Sequence, residues 1–356
     1  MTALNDQEIY EPPTLPYEIL ELGELGQTLP LGIWTPDGER LTDFTLARFI
    51  GDHELILGEL EDANRNRPDK YYRIFTQFLP EILLEIGGYP LRDLAALFKL
   101  SVSKFLAKMY LADILTILLN IRITGMTPLV PLTGQCPCEE QFEIRGGENT
   151  AAHDMSSVEM RVLPNGDYSP MLRVDLDDGI PVGDVRIDVI HLHPYRFGQM
   201  LEVMYPETAL DLALIGALTD PPLKGQLYRA ASPRDIKKIL SRIPQIFFGP
   251  ERKVPMDCPQ CGFEWEIPLG YGRGYEYFYL SLLSAPRESE ETGSTSEYFN
   301  KVAKFLTFGE QAPYSSRQEV LKLTPSDRNW WVKEISETYE RQQKELDKSQ
   351  SQAKRR

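Results

Sequence analysis

The sequence holds only four histidines and four cysteines among 356 residues, and these scarcities narrow its chemistry before anything else does. His53 and His153 sit in polar surroundings with no nucleophile motif beside them, so no Ser-His-Asp or Cys-His grouping can be argued. Carboxylates are abundant but form no recognisable catalytic pair, and the expectation is a protein that is not an enzyme. Positive charge is short as well: 38 Lys and Arg against 53 Asp and Glu give a net charge of −15, a field that repels phosphate backbones and argues against a nucleic-acid partner. The basic tail Lys354-Arg355-Arg356 is too short to reverse it. Long apolar runs are missing too. The longest, Leu111 to Ile121, is interrupted by Asp113 and Asn120 and falls short of the roughly 20 residues that span a bilayer. Met1 to Pro13 carries Asp6, Glu8 and Glu11 in place of a positive n-region followed by an apolar run. No membrane insertion and a cytoplasmic location are expected.

Apolar material is ample, at 42% of residues, and its period changes along the chain. Residues 1–43 read as an extended or β segment with a hairpin, Leu31 to Thr35 and Arg40 to Phe44, turning at Pro36-Asp37-Gly38. From 44 to 135 the spacing is helical, as in Ile74, Phe78 and Ile82, with Pro80 a candidate start of a new helix and Gly87-Gly88 a break. Val102 to Arg122 reads as one core helix whose stripe is Leu106, Tyr110, Ile114, Ile117 and Ile121. Alternation then predicts strands at 141–144, 171–176 and 185–190, followed by helices at 195–205, 206–218 and 233–243. Residues 269–298 read as an aromatic loop and flexible linker, 299–346 as C-terminal helices and 347–356 as a disordered tail.

The cysteines fall two and two. Each pair opens a short alternating run, Cys136-Pro-Cys138-Glu-Glu-Gln-Phe-Glu-Ile and Cys258-Pro-Gln-Cys261-Gly-Phe-Glu-Trp-Glu-Ile. A Cys-Pro-x-Cys-Gly turn aims both sulfurs at one point, with Gly262 free to take positive φ; the first pair is one residue shorter and needs a tight bend at Pro137. In a reducing compartment such pairs are metal ligands rather than disulfides. Closing the long chain segment between Cys138 and Cys258 costs about 4 kcal/mol, against an apparent ~10 to 16 kcal/mol from a structural zinc. The expectation is one structural Zn2+ held by Cys136, Cys138, Cys258 and Cys261, enclosing an inserted β/α module at 139–257 within a unit spanning 136–268. Four free or buried thiols and a redox Cys-x-x-Cys are the other readings.

Other signals carry less. His191 and His193 alternate on a predicted strand and share a face, yet no third ligand accompanies them; a strand edge leading into Pro194 is the ordinary reading. Asp175, Asp177, Asp178 and Gly179 lack the spacing of a calcium loop and read as a polar turn. Gly270-Tyr-Gly-Arg-Gly-Tyr has no following Lys-Ser/Thr and reads as an aromatic loop, in which Tyr275 and Tyr277 are candidate partner anchors. Trp330 and Trp331 open a charged helix and either dock back on the domain or offer a hot spot to another subunit.

One combination goes beyond a generic zinc ribbon. The helix Asp113-Ile-Leu-Thr-Ile-Leu-Leu-Asn-Ile-Arg122-Ile-Thr-Gly125, a connecting strand and Cys136-Pro-Cys138 resemble the baseplate-hub and tail-assembly proteins of contractile phage tails and related injection systems. Leu29-Pro-Leu-Gly32 and Leu46-Ala-Arg-Phe-Ile-Gly-Asp-His-Glu54 are similar to that group's opening strand and to the Gly-x-x-Glu that leads into its helices. The likeness covers 29–144 and 258–268; Cys-x-Cys replaces the usual first knuckle, and 145–254 has no counterpart. The resemblance implies a structural or chaperone-like role in a baseplate, with other baseplate or tail proteins as partners and a place in a tail-like particle. A cytosolic zinc-ribbon adaptor or regulator is the alternative. The fold expected is α+β: a helical N-terminal half, small antiparallel β elements joined by the four-cysteine knuckle pair, and a helical C-terminal extension.

Overall fold

In the computed structural model the described residues are 15–67, 69–125, 129–131, 133–135, 141–143, 152–166, 168–199, 218–223, 230–251, 253–257, 262, 264–268, 295–308, 313–314 and 316–353. They form a mixed helix-and-sheet protein, the α+β class that the periodicities predict.

In chain order, strand β1 (Glu18–Glu21) and the short helix α1 (Leu22–Leu25) precede the hairpin β2 (Thr28–Trp34) and β3 (Arg40–Leu46). The hairpin turns where Pro36-Asp37-Gly38 predicts, with Gly38 at φ 88° and Thr35 N donating to Glu39 O at 2.8 Å. Helices α2 (Gly51–Asn64) and α3 (Lys70–Ile82) follow. Pro80 lies inside α3 and starts no new helix. Its missing N–H costs one bond near the C-terminus, where the buried Phe78, Leu79 and Ile82 hold the last turn in place. The Gly87-Gly88 break is the turn between β4 (Leu83–Ile86) and β5 (Tyr89–Pro90), and these complete a sheet in the order β2-β3-β4-β5.

Helix α4 (Leu91–Leu97) then leads to α5 (Val102–Lys108) and α6 (Leu111–Gly125). The single helix expected from Val102 to Arg122 is therefore two. The chain breaks at Met109, with ψ 153°, because Leu111 N donates to Tyr195 O and Phe197 N donates to Met109 O. A tertiary ladder takes the bonds a continuous helix would have used, while the apolar stripe stays buried on both sides of the break. α6 is enclosed almost entirely, Ile114, Ile117 and Ile121 being wholly shielded. At about 1.5–3 kcal/mol for each such side chain, its burial contributes several kcal/mol to the main core.

The chain continues through β6 (Leu129–Pro131), β7 (Thr133–Gln135), β8 (Gln141–Glu143) and β9 (Ala152–Asp154), then a 3-10 turn at Met155–Ser157 and β10 (Glu159–Val162). β10 is the middle strand of a sheet between β1 and β14 (Gly249–Pro250). Met160 and Val162 join the main core with α2 to α6. A second core lies between the long hairpin β11 (Leu172–Val182) and β12 (Val185–Leu192), its neighbour β13 (Thr219–Asp220) and helix α7 (Pro233–Arg242). Asp175 to Gly179 is not the turn between strands but a bulge inside β11; the turn is at Gly183-Asp184. The bulge persists because the buried Asp235 carboxylate accepts from Asp177 N and Asp178 N. Tyr195 to Gln199 shows only a 3-10 turn at Phe197–Gln199, and the helix expected at 206–218 falls outside the described residues but for Leu218.

β15 (Lys253–Asp257) and β16 (Glu264–Pro268) form a hairpin. α8 (Thr295–Phe308), α9 (Arg317–Leu321) and α10 (Pro325–Ala353) make up the C-terminal extension, packed around Ala303, Leu306, Val320 and Ile335 with Leu55 of α2. No helix among the described residues is long and apolar enough to cross a membrane.

Candidate functional site

Cys136, Cys138, Cys258 and Cys261 themselves lie outside the described residues, as do Tyr275 and Tyr277. What the fold does with the flanking chain is informative. β7 pairs β8 antiparallel up to Gln135↔Gln141, so the first cysteine pair falls in the hairpin connection. β15 pairs β16 from Lys253↔Pro268 to Asp257↔Glu264, so the second pair falls in that connection. Gly262, just after Cys261, has φ 68°, the left-handed conformation that a Cys-x-x-Cys-Gly turn requires and that glycine adopts without steric cost.

The two hairpins are rooted side by side. β6 and β9 pair at the base of the first, Leu129↔Asp154, and β9 runs through the 3-10 turn directly into β10. Asp154 caps that turn by accepting from Ser156 N at 2.9 Å. The second hairpin leaves β14, the partner of β10, with Arg161↔Gly249 and Met160↔Pro250 in register. Where the strands part, Glu251 N donates to Glu159 O at 2.7 Å. The long segment between the cysteine pairs is thus closed by the β10–β14 ladder itself, whether or not a metal is bound.

A second constellation lies beneath these roots. Asp113, which interrupts an apolar run and opens the helix on which the family resemblance rests, is completely buried on α6. Its Oδ1 accepts from Leu31 N at 2.8 Å and Gly32 N at 3.3 Å, tying α6 to β2. Burial pushes the Asp113 carboxyl up to about 7, against the pull of those two N–H groups and the Arg40 guanidinium. Arg40 collects four main-chain carbonyls: Leu31 at 2.8 Å, Pro164 at 2.7 Å, Leu163 at 3.0 Å and Pro30 at 3.2 Å. At the other end of α6, a Cβ on Gly125 would lie 2.6 Å from Phe49 Cβ, so only glycine fits there. Burial lowers the nearby Arg122 to about 10, still cationic at neutral pH.

The lead-in to α2 is also a junction. His53 Nδ1 accepts from Ile50 N at 3.1 Å and its ring stacks on Phe49. Gly51 N donates to Leu323 O at 2.8 Å, and Glu54 pairs with Arg328 of α10, both side chains buried, with Arg328 Nη2 to Glu54 Oε1 at 3.0 Å.

His191 and His193 do alternate, but His193 Nδ1 lies 2.9 Å from Pro194 O. Among the described residues no group of three or more His, Cys, Asp or Glu is arranged to hold a metal. Trp331 packs into the C-terminal cluster, edge-on to Tyr314, whereas Trp330 is 56% exposed. No protein-family model, curated protein or solved structure matches the chain.

Proposed function

We propose that the protein is a non-enzymatic, zinc-stapled structural or assembly component of a contractile tail or injection-system baseplate, acting through contacts with other baseplate or tail proteins. The observation that carries the zinc half is the shared root of the two cysteine-bearing hairpins at Glu159 and Glu251. From Leu129 to Gln135 and from Glu251 to Asp257 each arm has a reach of about 20 Å at about 3.4 Å per extended residue. Arms of equal reach from neighbouring roots allow their tips to share one ion. Four thiolates would make a closed tetrahedral set, which is structural rather than catalytic.

The tail half is supported by how the motif positions of the resemblance relate to one another. Leu29 to Gly32 meets Asp113, Gly125 meets Phe49, and the Gly51-x-x-Glu54 lead-in receives the C-terminal helices. Residues far apart in the chain act as one scaffold, as expected if the likeness extends to the fold. A scaffold of this kind, with its net charge of −15, suits assembly and leaves nucleic acid an unfavourable partner.

Mass spectrometry of purified tail particles and of their assembly intermediates tests the tail reading. Presence in the intermediates alone indicates a chaperone, and presence in both a component. Absence from both removes the tail role and leaves a zinc-ribbon adaptor.

A further inference from the structure

A groove of about 530 Å³ opens beside the end of β2, lined by Trp34, Phe98, Leu100, Phe105, Lys108 and Arg196 among others. Its walls are aromatic and aliphatic, but its rim is cationic. Arg196 is held in place by donating from Nη1 to Lys108 O at 2.6 Å and by lying over the Tyr110 ring at 5.0 Å. Neither Lys108 nor Arg196 pairs with a carboxylate among the described residues. In a chain with 53 acidic side chains, two neighbouring cations left without a carboxylate are a local reversal of sign.

The strand beside the groove adds a direction. β2 is the edge strand of its sheet. Thr35 N bonds to Glu39 O, and Trp34↔Arg40 is the next pair, so the main-chain N–H and C=O of Trp34 point away from β3. That is the side on which Asp113 and α6 lie. Earlier along the edge, Asp113 and Arg40 take up the groups of Pro30, Leu31 and Gly32; no such partner serves Trp34 among the described residues.

We infer that this groove docks an extended segment of a partner protein, one that adds to β2 at Trp34 and carries a large apolar side chain and a carboxylate two residues apart. Alternate residues of an extended chain share a face, so the apolar side chain packs onto the wall that the mutually packed Phe98 and Phe105 rings form while the carboxylate meets Lys108 and Arg196. Strand addition supplies affinity and the pocket supplies selectivity. The inference rests on the reading of this protein as one that works through protein contacts, and is independent of the zinc and of the tail particle.

The test uses the purified full-length chain and the capped pentapeptide Thr-Phe-Thr-Glu-Thr, labelled for fluorescence anisotropy, with three comparison ligands: the same peptide with Gln for Glu, the same peptide N-methylated at the central Thr, and free 3-phenylpropionate. Expected is at least tenfold tighter binding of the parent peptide than of any comparison ligand. Lys108→Gln, at an exposed position, should cut that preference at least threefold without changing the circular dichroism. Leu100→Asp should abolish binding. Equal binding of the Glu and Gln peptides overturns the inference. So does an unchanged preference in Lys108→Gln, or 3-phenylpropionate binding as tightly as the peptide, which would make the groove a small-carboxylate site. Loss of the protein from tail particles would leave these outcomes untouched.

Discussion

Glu251 N donates to Glu159 O at 2.7 Å, at the point where β10 and β14 separate and each leads to a hairpin carrying two cysteines. A metal bound between the tips therefore orders two arms on a body that already stands without it. This predicts local rather than global loss on demetallation. Purified protein should carry about one equivalent of zinc by elemental analysis. Chelation, Cys136→Ser or Cys258→Ser should raise amide exchange in 129–143 and 253–268 while α6 stays protected. Metal-free protein with both arms already protected would rule the staple out.

Asp113 gives a pH signature. Its folded pKa of about 7 lies above the ordinary 3.8, so the folded state holds the proton more tightly. The stability this supplies is complete below about 4 and is lost as pH rises through about 7. Asp113→Asn keeps an acceptor for Leu31 N and Gly32 N and should flatten that part of the stability–pH curve in urea titrations. Asp113→Ala leaves both buried donors without an acceptor and should cost about 2–3 kcal/mol below about pH 4, a loss that shrinks as pH rises through about 7.

His53 slopes the other way. Burial is the main influence on it and holds its pKa below 6.5, because desolvation outweighs the hydrogen bond to the Glu81 backbone and the carboxylates of Asp52 and Glu81. The unfolded chain takes up the proton first as pH falls below about 6.5, and stability declines from there down to the folded pKa. Protonation at Nδ1 would also abolish its acceptance from Ile50 N. His53→Gln retains an acceptor at the same helix position and should remove the decline; an identical pH profile would show that His53 does not titrate on unfolding.

The buried pair Glu54–Arg328 fixes α10 to α2. Arg328→Met removes the cation paired with the buried Glu54 carboxylate and should cost about 3–5 kcal/mol, seen as release of the C-terminal helices to limited proteolysis. Replacing both partners with methionine should restore most of the loss. If the double variant is no better than the single one, the pair is not what holds the helices.

Lys99 has φ 56° where helix α4 ends, with Leu100 N reaching back to Ala95 O. That arrangement is the left-handed helix stop in which glycine is the usual residue. Lys99→Gly should stabilise the protein by about 0.5–1 kcal/mol, measured as a shift in denaturation midpoint at constant slope.

Much of this architecture is written in short-range patterns. The Pro-Asp-Gly turn between β2 and β3, the alternation of β8, β11 and β12, and the Ser232-Pro233 start of α7 follow from local stereochemistry and are visible in the sequence. The break at Met109 is not, since no Pro or Gly marks it and Tyr195 and Phe197, which impose it, lie far along the chain. The bulge at Asp177 escapes for the same reason: its partner is Asp235. Asp113 is the instructive miss at the candidate site. A carboxyl in the middle of an apolar helix reads as a flaw in a hydrophobic run until its two backbone donors on β2 are known, yet a buried polar group of this kind calls for a hydrogen-bond partner. The cysteine pairs were legible as pairs, but only the β10–β14 pairing reveals that their hairpins start from one place.

α10 runs 29 residues, about 43 Å of rod at about 1.5 Å per residue. Tyr339 is the last of its residues packed in the C-terminal cluster, and the described side chains from 340 onward are exposed. Mechanically this is a cantilever clamped near one end. A sideways load at its free end is multiplied by the arm and arrives at the clamp as torque on Arg328 and, through Glu54, on the first turn of α2. The hydrophobic contacts around Ile335 resist bending, while the ion pair and Gly51 N–H to Leu323 bond resist rotation. A displacement of the far part of α10 would therefore reach α2 first through Arg328 and Glu54.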